Sequence, residues 1–295
     1  GTVTAKFAGD TTFTLGITLN TATKISTFEV DGSAAQTITG IINGADDGQG
    51  RIDISNTSAT VTFESILGAV KQIGEIESSE NSTTVFNKTI DTALFDVDGK
   101  VTLTQDANTA TNITLASGGT IIIDDTVLTT QTLFAGGSSL DGNSIAGTGN
   151  IKIPANLLNG ETIVFAASIV NNDDTNALIV ADTETAVFDT ALRTYTVSGD
   201  TTAETIIITA ADNSASTVAS NLGTTTNMGT ALIQAGIAVE TDATALDAFS
   251  NALNAEGGYS ATEDTALAKQ VAPQDDMISG STFATKAMTG TLQGI

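Results

Sequence analysis

The chain has 295 residues, contains no Cys, His or Trp, and carries a formal net charge of -24. Without His or Cys it cannot form a Ser-His-Asp triad, a thiolate nucleophile or a Cys/His zinc site, so we expect no enzymatic activity and no cofactor. Its 34 acidic and 10 basic residues argue against nucleic acid or anionic lipid as a partner.

The composition is nevertheless that of a folded protein. Hydrophobic residues reach 40% and the mean hydropathy is +0.16, which is more apolar than a disordered chain. No apolar run approaches the ~18–20 residues that cross a membrane. The chain begins at Gly1 without a signal peptide and has no thiols. We therefore expect a processed product or an excised fragment, and we expect the protein to be exported, either to the extracellular space or to a bacterial cell surface.

Residues 1–210 have the pattern of short strands. Runs of β-branched residues alternate with polar ones at period two, which is typical of strands with one buried face. Pairs such as Asp31-Gly32, Asn43-Gly44 and Asp98-Gly99 separate the runs and favour turns. With no helical pattern between the strands, the region is predicted to be all-β.

A weak internal repeat distinguishes two all-β architectures. Residues 60–66 (TVTFESI) are echoed by residues 83–90 (TTVFNKTI), an offset of about 23–24 residues that matches one coil of a β-helix. The alternative is an antiparallel sandwich or barrel, which usually holds larger aromatic anchors. We predict a single-stranded parallel β-helix, in which Phe63 and Phe86 occupy neighbouring coils and point into the same core.

The composition and the spacing of apolar residues change after about residue 212, where Ala-rich segments with helical spacing begin. Leu246, Phe249 and Leu253 fall on one helical face. Residues 260–263 (SATE) read as a capping box that opens a further helix. We therefore predict a solenoid over 1–211 and a mostly helical segment over 212–295. We expect its apolar positions to be buried, either against the solenoid or against a second copy of the chain, namely Leu246, Phe249, Leu253, Phe283, Met288 and Leu292.

Four segments carry a resemblance to a known family. They are residues 37–50 (TITGIINGADDGQG), 147–154 (GTGNIKIP), 267–275 (LAKQVAPQD) and 285–295 (TKAMTGTLQGI). The first two resemble repeated coils, and the last two resemble the linker before the translocator, of bacterial autotransporters. The chain is most similar to the rickettsial outer-membrane-protein-B-type surface antigens. The resemblance implies a C-terminal passenger piece, a parallel β-helix displayed or shed at a bacterial surface.

Closely spaced acidic residues are candidate ligands for a structural calcium ion, because carboxylates in turns supply hard oxygen ligands. The candidates are Asp46, Asp47, Asp96, Asp98, Asp173 and Asp174. The alternative interpretation is that these residues favour turns and keep an acidic protein soluble. Glycoside hydrolysis, which needs two carboxyls, is disfavoured because stacking aromatics are scarce and Tyr195 and Tyr259 are the only tyrosines.

Two functions follow from this sequence. The first is a structural protein that assembles with itself into a surface layer, sheath or filament through the strand edges of its solenoid. The alternative is an adhesin whose loops bind cell-surface glycans or a host receptor, which calls for an exposed apolar or aromatic patch. The low aromatic content favours assembly.

Overall fold

The protein is described here by a computed structural model. It describes residues 3–20, 26–116, 118–124, 126–127, 132–135, 150–154, 157–167, 186–187, 190–200 and 205–240, with Asp242, Ala245, Leu246, Phe249 and Leu253 beyond them. The chain divides into two compact units. The solenoid unit comprises Gly1–Ile153, Thr162–Val187 and Val197–Thr209, and the helical unit comprises Pro154–Glu161, Phe188–Thr196 and Ala210–Ile295.

Short strands follow one another along most of the described chain. In chain order they are β1 (Val3–Phe7), β2 (Thr11–Thr12), β3 (Ile17–Leu19), β4 (Ser26–Val30), β5 (Gln36–Thr39), β6 (Ile42–Gly44), β7 (Gln49–Ile54), β8 (Thr60–Phe63), β9 (Ile73–Ser78), β10 (Thr83–Phe86), β11 (Asp91–Val97), β12 (Lys100–Leu103), β13 (Thr109–Leu115), β14 (Thr120–Ile123), β15 (Thr132–Phe134), β16 (Asn150–Lys152), β17 (Thr162–Ala167), β18 (Ala186–Val187), β19 (Arg193–Asp200) and β20 (Thr205–Asp212).

Two long parallel sheets form the walls of the solenoid unit. The first sheet has the order β1-β4-β7-β9-β11-β13, and the second has the order β2-β5-β8-β10-β12-β14-β16-β18. Neighbouring strands in each sheet are one coil apart in the chain, as where β8 pairs in parallel with β10. The protein is thus a parallel β-solenoid of about five turns with a C-terminal helical segment, which confirms the predicted fold class.

Two smaller sheets complete the strand pairing. The third sheet, β3-β6, is continued by parallel bridges from Ile42 to Leu67 and from Leu67 to Ile90. The fourth has the order β15-β17-β20-β19, in which β15 and β17 are parallel and β17 and β20 are antiparallel. The regular parallel winding therefore gives way to an antiparallel pairing at β20.

Alternating side chains fill the core of the solenoid unit. Strands such as β8, β10, β12 and β14 bury every second residue, because successive side chains of a strand point to opposite faces. Phe63 and Phe86 pair in register, each is 1% exposed, and their rings are stacked with centroids 5.2 Å apart. The predicted neighbouring coils of these two residues are therefore confirmed.

The stack of rings extends beyond this pair. Ring centroids lie 6.1 Å apart for Phe86 and Phe95, 6.2 Å for Phe95 and Phe134, and 5.5 Å for Phe134 and Phe165. We call the five residues Phe63, Phe86, Phe95, Phe134 and Phe165 the aromatic row. It links successive coils by burial of large rings with edge-to-face and offset contacts.

A buried side-chain amide, that of Asn108, satisfies backbone groups at the corner between β12 and β13. Asn108 is 1% exposed, and its Nδ2 donates to the carbonyl oxygens of Gln105 at 2.7 Å and Leu133 at 3.1 Å. Its Oδ1 accepts from the Ile90 backbone N–H at 3.0 Å. A buried polar side chain costs little when it is hydrogen-bonded in this way, so Asn108 ties three coils together from inside the core.

The helical unit contains two capped helices, α1 (Ala215–Asn221) and α2 (Thr226–Val239). Ser214 Oγ accepts from the Thr217 backbone N–H and Thr225 Oγ1 from that of Met228, as expected of N-cap residues. The two helices share one apolar core, which contains Ala191, Val218, Leu222, Met228, Leu232 and Leu253, with Leu192, Ile233 and Phe249 packed against it.

Leu246 and Leu253 are buried, as predicted, but Leu253 packs in the apolar core of the helical unit, and Phe249 is only partly buried. Phe283, Met288, Leu292 and the capping box at residues 260–263 lie outside the described residues. Two segments that the sequence pattern places with the solenoid, Pro154–Glu161 and Phe188–Thr196, pack in the helical unit.

Candidate functional site

The first predicted acidic pair, Asp46 and Asp47, lies in an exposed turn after β6. Asp47 Oδ2 accepts from Lys71 Nζ at 3.0 Å, and its Oδ1 accepts from the Gln72 backbone N–H at 3.2 Å. The hydrogen bond from Lys71 is the main cause of a lowered pKa of Asp47. This carboxylate is therefore engaged by a neighbouring coil, and both sides of the ion pair are solvent-exposed.

The second predicted pair, Asp96 and Asp98, lies at the end of β11. Asp96 belongs to the strand, and Asp98 follows it, with its backbone N–H donating to the Ser78 carbonyl oxygen at 2.9 Å. The third pair, Asp173 and Asp174, lies outside the described residues. Within the part of the chain that the structure describes, no three acidic side chains are grouped closely enough to hold a metal ion. Structural calcium thus stays a prediction.

A column of carboxylates crosses the outer face of the first sheet. Glu29 on β4 pairs in register with Asp53 on β7, Asp53 pairs with Glu77 on β9, and Glu77 pairs with Asp96 on β11. Paired strands lie about 4.8 Å apart, so like charges stand side by side on four successive coils. We call these four residues the carboxylate ladder.

Two cations offset part of this charge. Lys6 on β1 pairs in register with Glu29, donates to Glu29 Oε1, and lies 3.4 Å from Asp31 Oδ2. Arg51 on β7 forms an ion pair with Glu77 and lies 3.7 Å from Glu75. The cations are thus concentrated towards the first coils, and Asp96 lies at the far end of the ladder.

The environment of Asp96 follows from that position. Partial burial is the main cause of its raised pKa, and the nearby charges of Asp98 and Glu75 raise it further, while Arg51 lowers it. The pKa of Asp91, at the start of the same strand, is also raised, mainly by burial. The ladder therefore holds at least one carboxylate that gains from binding a proton.

We predict that Asp96→Asn raises the stability of the solenoid unit at pH 7 by about 0.2–1 kcal/mol, the usual size of a cross-strand like-charge repulsion. Folding raises the pKa of Asp96 above its usual 3.8. At pH values between the usual and the raised pKa, the folded state therefore binds more protons than the unfolded state. Stability of the native protein should therefore increase as pH falls through the raised pKa, and the variant should lose this part of the increase.

Urea unfolding between pH 4 and 8 checks this prediction, with Asp46→Asn in the exposed turn as the matched control. The control removes the same charge from a site without in-register acidic neighbours, so its stability and pH profile should stay close to those of the native protein. An Asp96→Asn variant that is less stable than the native protein at pH 7 would contradict the prediction.

Sequence reasoning missed the ladder, although a signal was present. Glu29, Asp53 and Glu77 recur at one constant interval, the length of a coil, and Lys6 precedes them at nearly the same interval. Acidic residues close in sequence indicate ligands in a turn, whereas the members of the ladder are distant in the chain and adjacent only across strands.

We call the outer edge of β1 the open end of the described solenoid. No described strand pairs with the outer edge of β1, which lies at the margin of the first sheet. Thr4, Ala5 and Lys6 are exposed, Val3 is 55% exposed, and Phe7 is only partly buried. The side chains at the equivalent positions of the next coil, such as Phe28 and Val30, are fully buried. Among the described residues, this end thus presents a strand edge without a pairing strand and core-facing side chains that are exposed or only partly buried.

Further apolar side chains are exposed on the first three coils. Leu15 is 99% exposed, and Ile41 and Ile66 are also exposed. Ile41 and Ile66 directly precede Ile42 and Leu67, which are bridged to each other across neighbouring coils. Ile41 and Ile66 thus occupy equivalent positions on neighbouring coils, and Leu15 lies two residues before Ile17, whose backbone N–H donates to the Ile41 carbonyl oxygen at 2.8 Å. We call these three residues the apolar corner.

Two other sequence motifs are tested by the geometry. Residues 56–58 (NTS) match the Asn-x-Ser acceptor pattern for N-linked sugar. Asn56 is fully buried, with Nδ2 donating to Gln36 Oε1 at 2.8 Å, so it is inaccessible to a modifying enzyme in the folded state. Tyr195, one of two tyrosines, is 6% exposed and cannot serve as a stacking platform for a sugar. Tyr259 lies outside the described residues.

In comparisons with known proteins, no family model, no curated protein and no solved structure matches this chain. Neither helix in the described part of the chain combines the length and hydropathy that a membrane-spanning helix requires. The fold and the two surface features, the carboxylate ladder and the open end, are therefore the basis for any functional assignment.

Proposed function

We propose that this protein is a non-enzymatic structural component of the bacterial exterior, an autotransporter-like passenger that assembles with itself into a surface layer, sheath or filament. The observation that carries the proposal is the parallel β-solenoid, whose sheets end in edge strands that gain from pairing with a further strand. Among the described strands β1 is such an edge, and its side chains are exposed or only partly buried.

The physical reason is that an unpaired strand edge is a template for another strand. Exposed backbone N–H and C=O groups and apolar side chains both gain from being covered, and proteins that avoid such contacts protect their edges with charge or proline. β1 carries one charged residue, Lys6, and no proline. It is thus poorly protected against pairing.

Electrostatics also favours contact at this end. The whole chain has a net charge of -24, but residues 3–20 contain one Lys and one Asp. Charges on the rest of the surface repel at long range, although salt limits that range to about 8–10 Å. Two acidic molecules can therefore approach each other at the first coil with little mutual repulsion.

The test is sedimentation velocity over a wide concentration range, together with electron microscopy of the purified protein, in buffers with calcium and with EDTA. We expect oligomers or ordered assemblies to grow with concentration. If assembly requires calcium, the predicted carboxylate ligands act as bridges between molecules.

A protein that stays monomeric at every concentration in both buffers would contradict the proposal. The alternative function is an adhesin, for which the apolar corner of Leu15, Ile41 and Ile66 offers a binding surface. Monomers that bind a cell-surface glycan or host receptor, and lose binding on Leu15→Asp, would establish that alternative.

A further inference from the structure

We infer that copies of this chain associate side by side, with the outer surface of the second sheet of one copy against the carboxylate ladder of the next. The inference rests on the proposed self-assembly and adds a lateral contact to it. A layer or sheath needs contacts in two directions, whereas an edge strand pairs with a further strand only along the axis of the solenoid. The inference commits to a second copy of the chain as the occupant of both surfaces.

The outer surface of the second sheet is almost uncharged. Strands β5, β8, β10, β12 and β14 alternate between buried residues and outward residues that are exposed or partly exposed. None of the outward residues of these five strands is acidic, although the chain contains 34 acidic residues. Most are threonines, and we call this surface the threonine face, defined by Thr37, Thr60, Thr62, Thr83, Thr102 and Thr120. It therefore adds no negative charge to a contact between two acidic molecules.

The charges that do lie on this surface are positive. Lys100 on β12 pairs in register with Thr83 and Thr120 of the neighbouring strands. Lys152 on β16 pairs with Ile122 of β14, and both lysine side chains are partly exposed. The carboxylate ladder presents four acidic side chains on the first sheet. The two surfaces therefore carry opposite charges, which favours contact between the threonine face of one copy and the ladder of another.

The spacing of the charges also matches. Lys100 and Lys152 lie two strands apart in the second sheet, on β12 and β16. Asp53 and Asp96 lie two strands apart in the first sheet, on β7 and β11. Because strands in both sheets repeat at about 4.8 Å, two copies with parallel axes can place Lys100 opposite Asp53 and Lys152 opposite Asp96 at once. A partner without this repeat would match at one point only, which favours a second copy as the occupant.

The ladder gains most from a cation at the end where Asp96 lies. Its own cations, Lys6 and Arg51, are concentrated towards the first coils, so a lysine of another copy at Asp96 would offset repulsion that the chain itself leaves in place. An ammonium group has three N–H donors, so a lysine with a partner in its own chain can still bind a carboxylate of another.

This contact is heterologous, because two different surfaces of the molecule meet. Such a contact continues from copy to copy and generates an open row unless its geometry closes a ring. Each exposed ion pair contributes little by itself, so the row depends on repetition and weakens as salt screens the charges. Lateral association should therefore be strongest at low ionic strength.

A charge exchange tests the contact. Lys152→Glu and Asp96→Lys are each studied alone and as an equimolar mixture, by sedimentation velocity and electron microscopy at low salt with EDTA. Lys88→Glu and Asp46→Lys are the matched controls, because they make the same changes of charge at exposed positions between strands, outside both surfaces. Circular dichroism checks that every variant retains the native fold.

We expect each of the two test variants alone to need a concentration about tenfold higher than the native protein to assemble, because like charges then meet in the lateral contact. The mixture should recover native assembly, since the exchanged charges of the two variants are opposite and meet each other. Both controls should assemble as the native protein does. Lys100→Glu with Asp53→Lys repeats the test at the second predicted pair.

The outcomes separate the lateral contact from self-assembly itself. If the native protein assembles but the test variants assemble as readily as it does, or their mixture fails to recover assembly, the lateral contact is wrong and self-assembly stands. If the native protein sediments as a monomer at every concentration, both the lateral contact and the proposed function are overturned.

Discussion

Replacing Phe86 by alanine should lower the free energy of unfolding of the solenoid unit by about 3–5 kcal/mol, the range typical of removing a buried aromatic side chain. Phe86 is 1% exposed and contacts Phe63 and Phe95, its neighbours in the aromatic row. The cavity would lie between rings from adjacent coils, which cannot collapse without breaking the register of β8, β10 and β12. Urea unfolding followed by circular dichroism measures the loss.

Leu15→Ala is the control for this prediction. Leu15 is 99% exposed, so shortening it should change the free energy of unfolding by less than about 0.5 kcal/mol. Each coil of a solenoid is stabilised mainly by its neighbours, so the Phe86→Ala transition can also broaden as coils unfold separately. A loss below about 1 kcal/mol for Phe86→Ala would show that the aromatic row does not hold the coils together.

Arg193→Met should destabilise the helical unit by about 2–4 kcal/mol, close to the cost of removing one partner of a buried ion pair. The Arg193 side chain is 8% exposed, and its Nε lies 3.1 Å from Asp212 Oδ1. Its guanidinium also donates to Glu240 Oε1 at 2.8 Å, where α2 ends. Methionine retains the packing of the stem but leaves two carboxylates without their cation.

Thermal unfolding of the full chain, followed by the circular dichroism signal of its helices, tests this prediction. Glu240→Gln serves as the comparison, because it keeps a hydrogen-bond acceptor for Arg193 and leaves Asp212 paired, so it should cost less than half as much. If Arg193→Met and Glu240→Gln were equally mild, the cluster would contribute little to the unit. In that case water would solvate the carboxylates of Asp212 and Glu240, which are partly exposed, in place of the guanidinium.

The fold could be predicted from the sequence because its main determinants are local. Alternation at period two fixes which side chains of β8 and β10 face inward, and one recognisable repeat gave the right pairing of Phe63 with Phe86. The repeat is not recognisable in the sequence of the later coils because the loops at their corners differ in length. Glu75, for example, pairs with Leu94, a shorter step than that from Arg51 to Glu75.

The surface features depend on contacts that are distant in the chain, and most of them could not be predicted. The carboxylate ladder arises from register between coils, and the sequence indicates it only through the constant interval between Glu29, Asp53 and Glu77. Arg193 meets Glu240 because residues 188–196 pack in the helical unit, against the local strand pattern that groups them with the solenoid. Local sequence patterns predict individual strands and helices, whereas tertiary packing determines which of them come into contact.

Hydrogen–deuterium exchange of the native protein at low and high concentration tests most directly whether the first coil is the assembly surface. Amides of β7, β9 and β11 lie inside the first sheet and should be protected at both concentrations. We predict that residues 3–20 exchange rapidly in the dilute protein and become protected as oligomers form. Oligomers in which residues 3–20 still exchange as rapidly as in the monomer would contradict the assignment of the open end as the site of assembly.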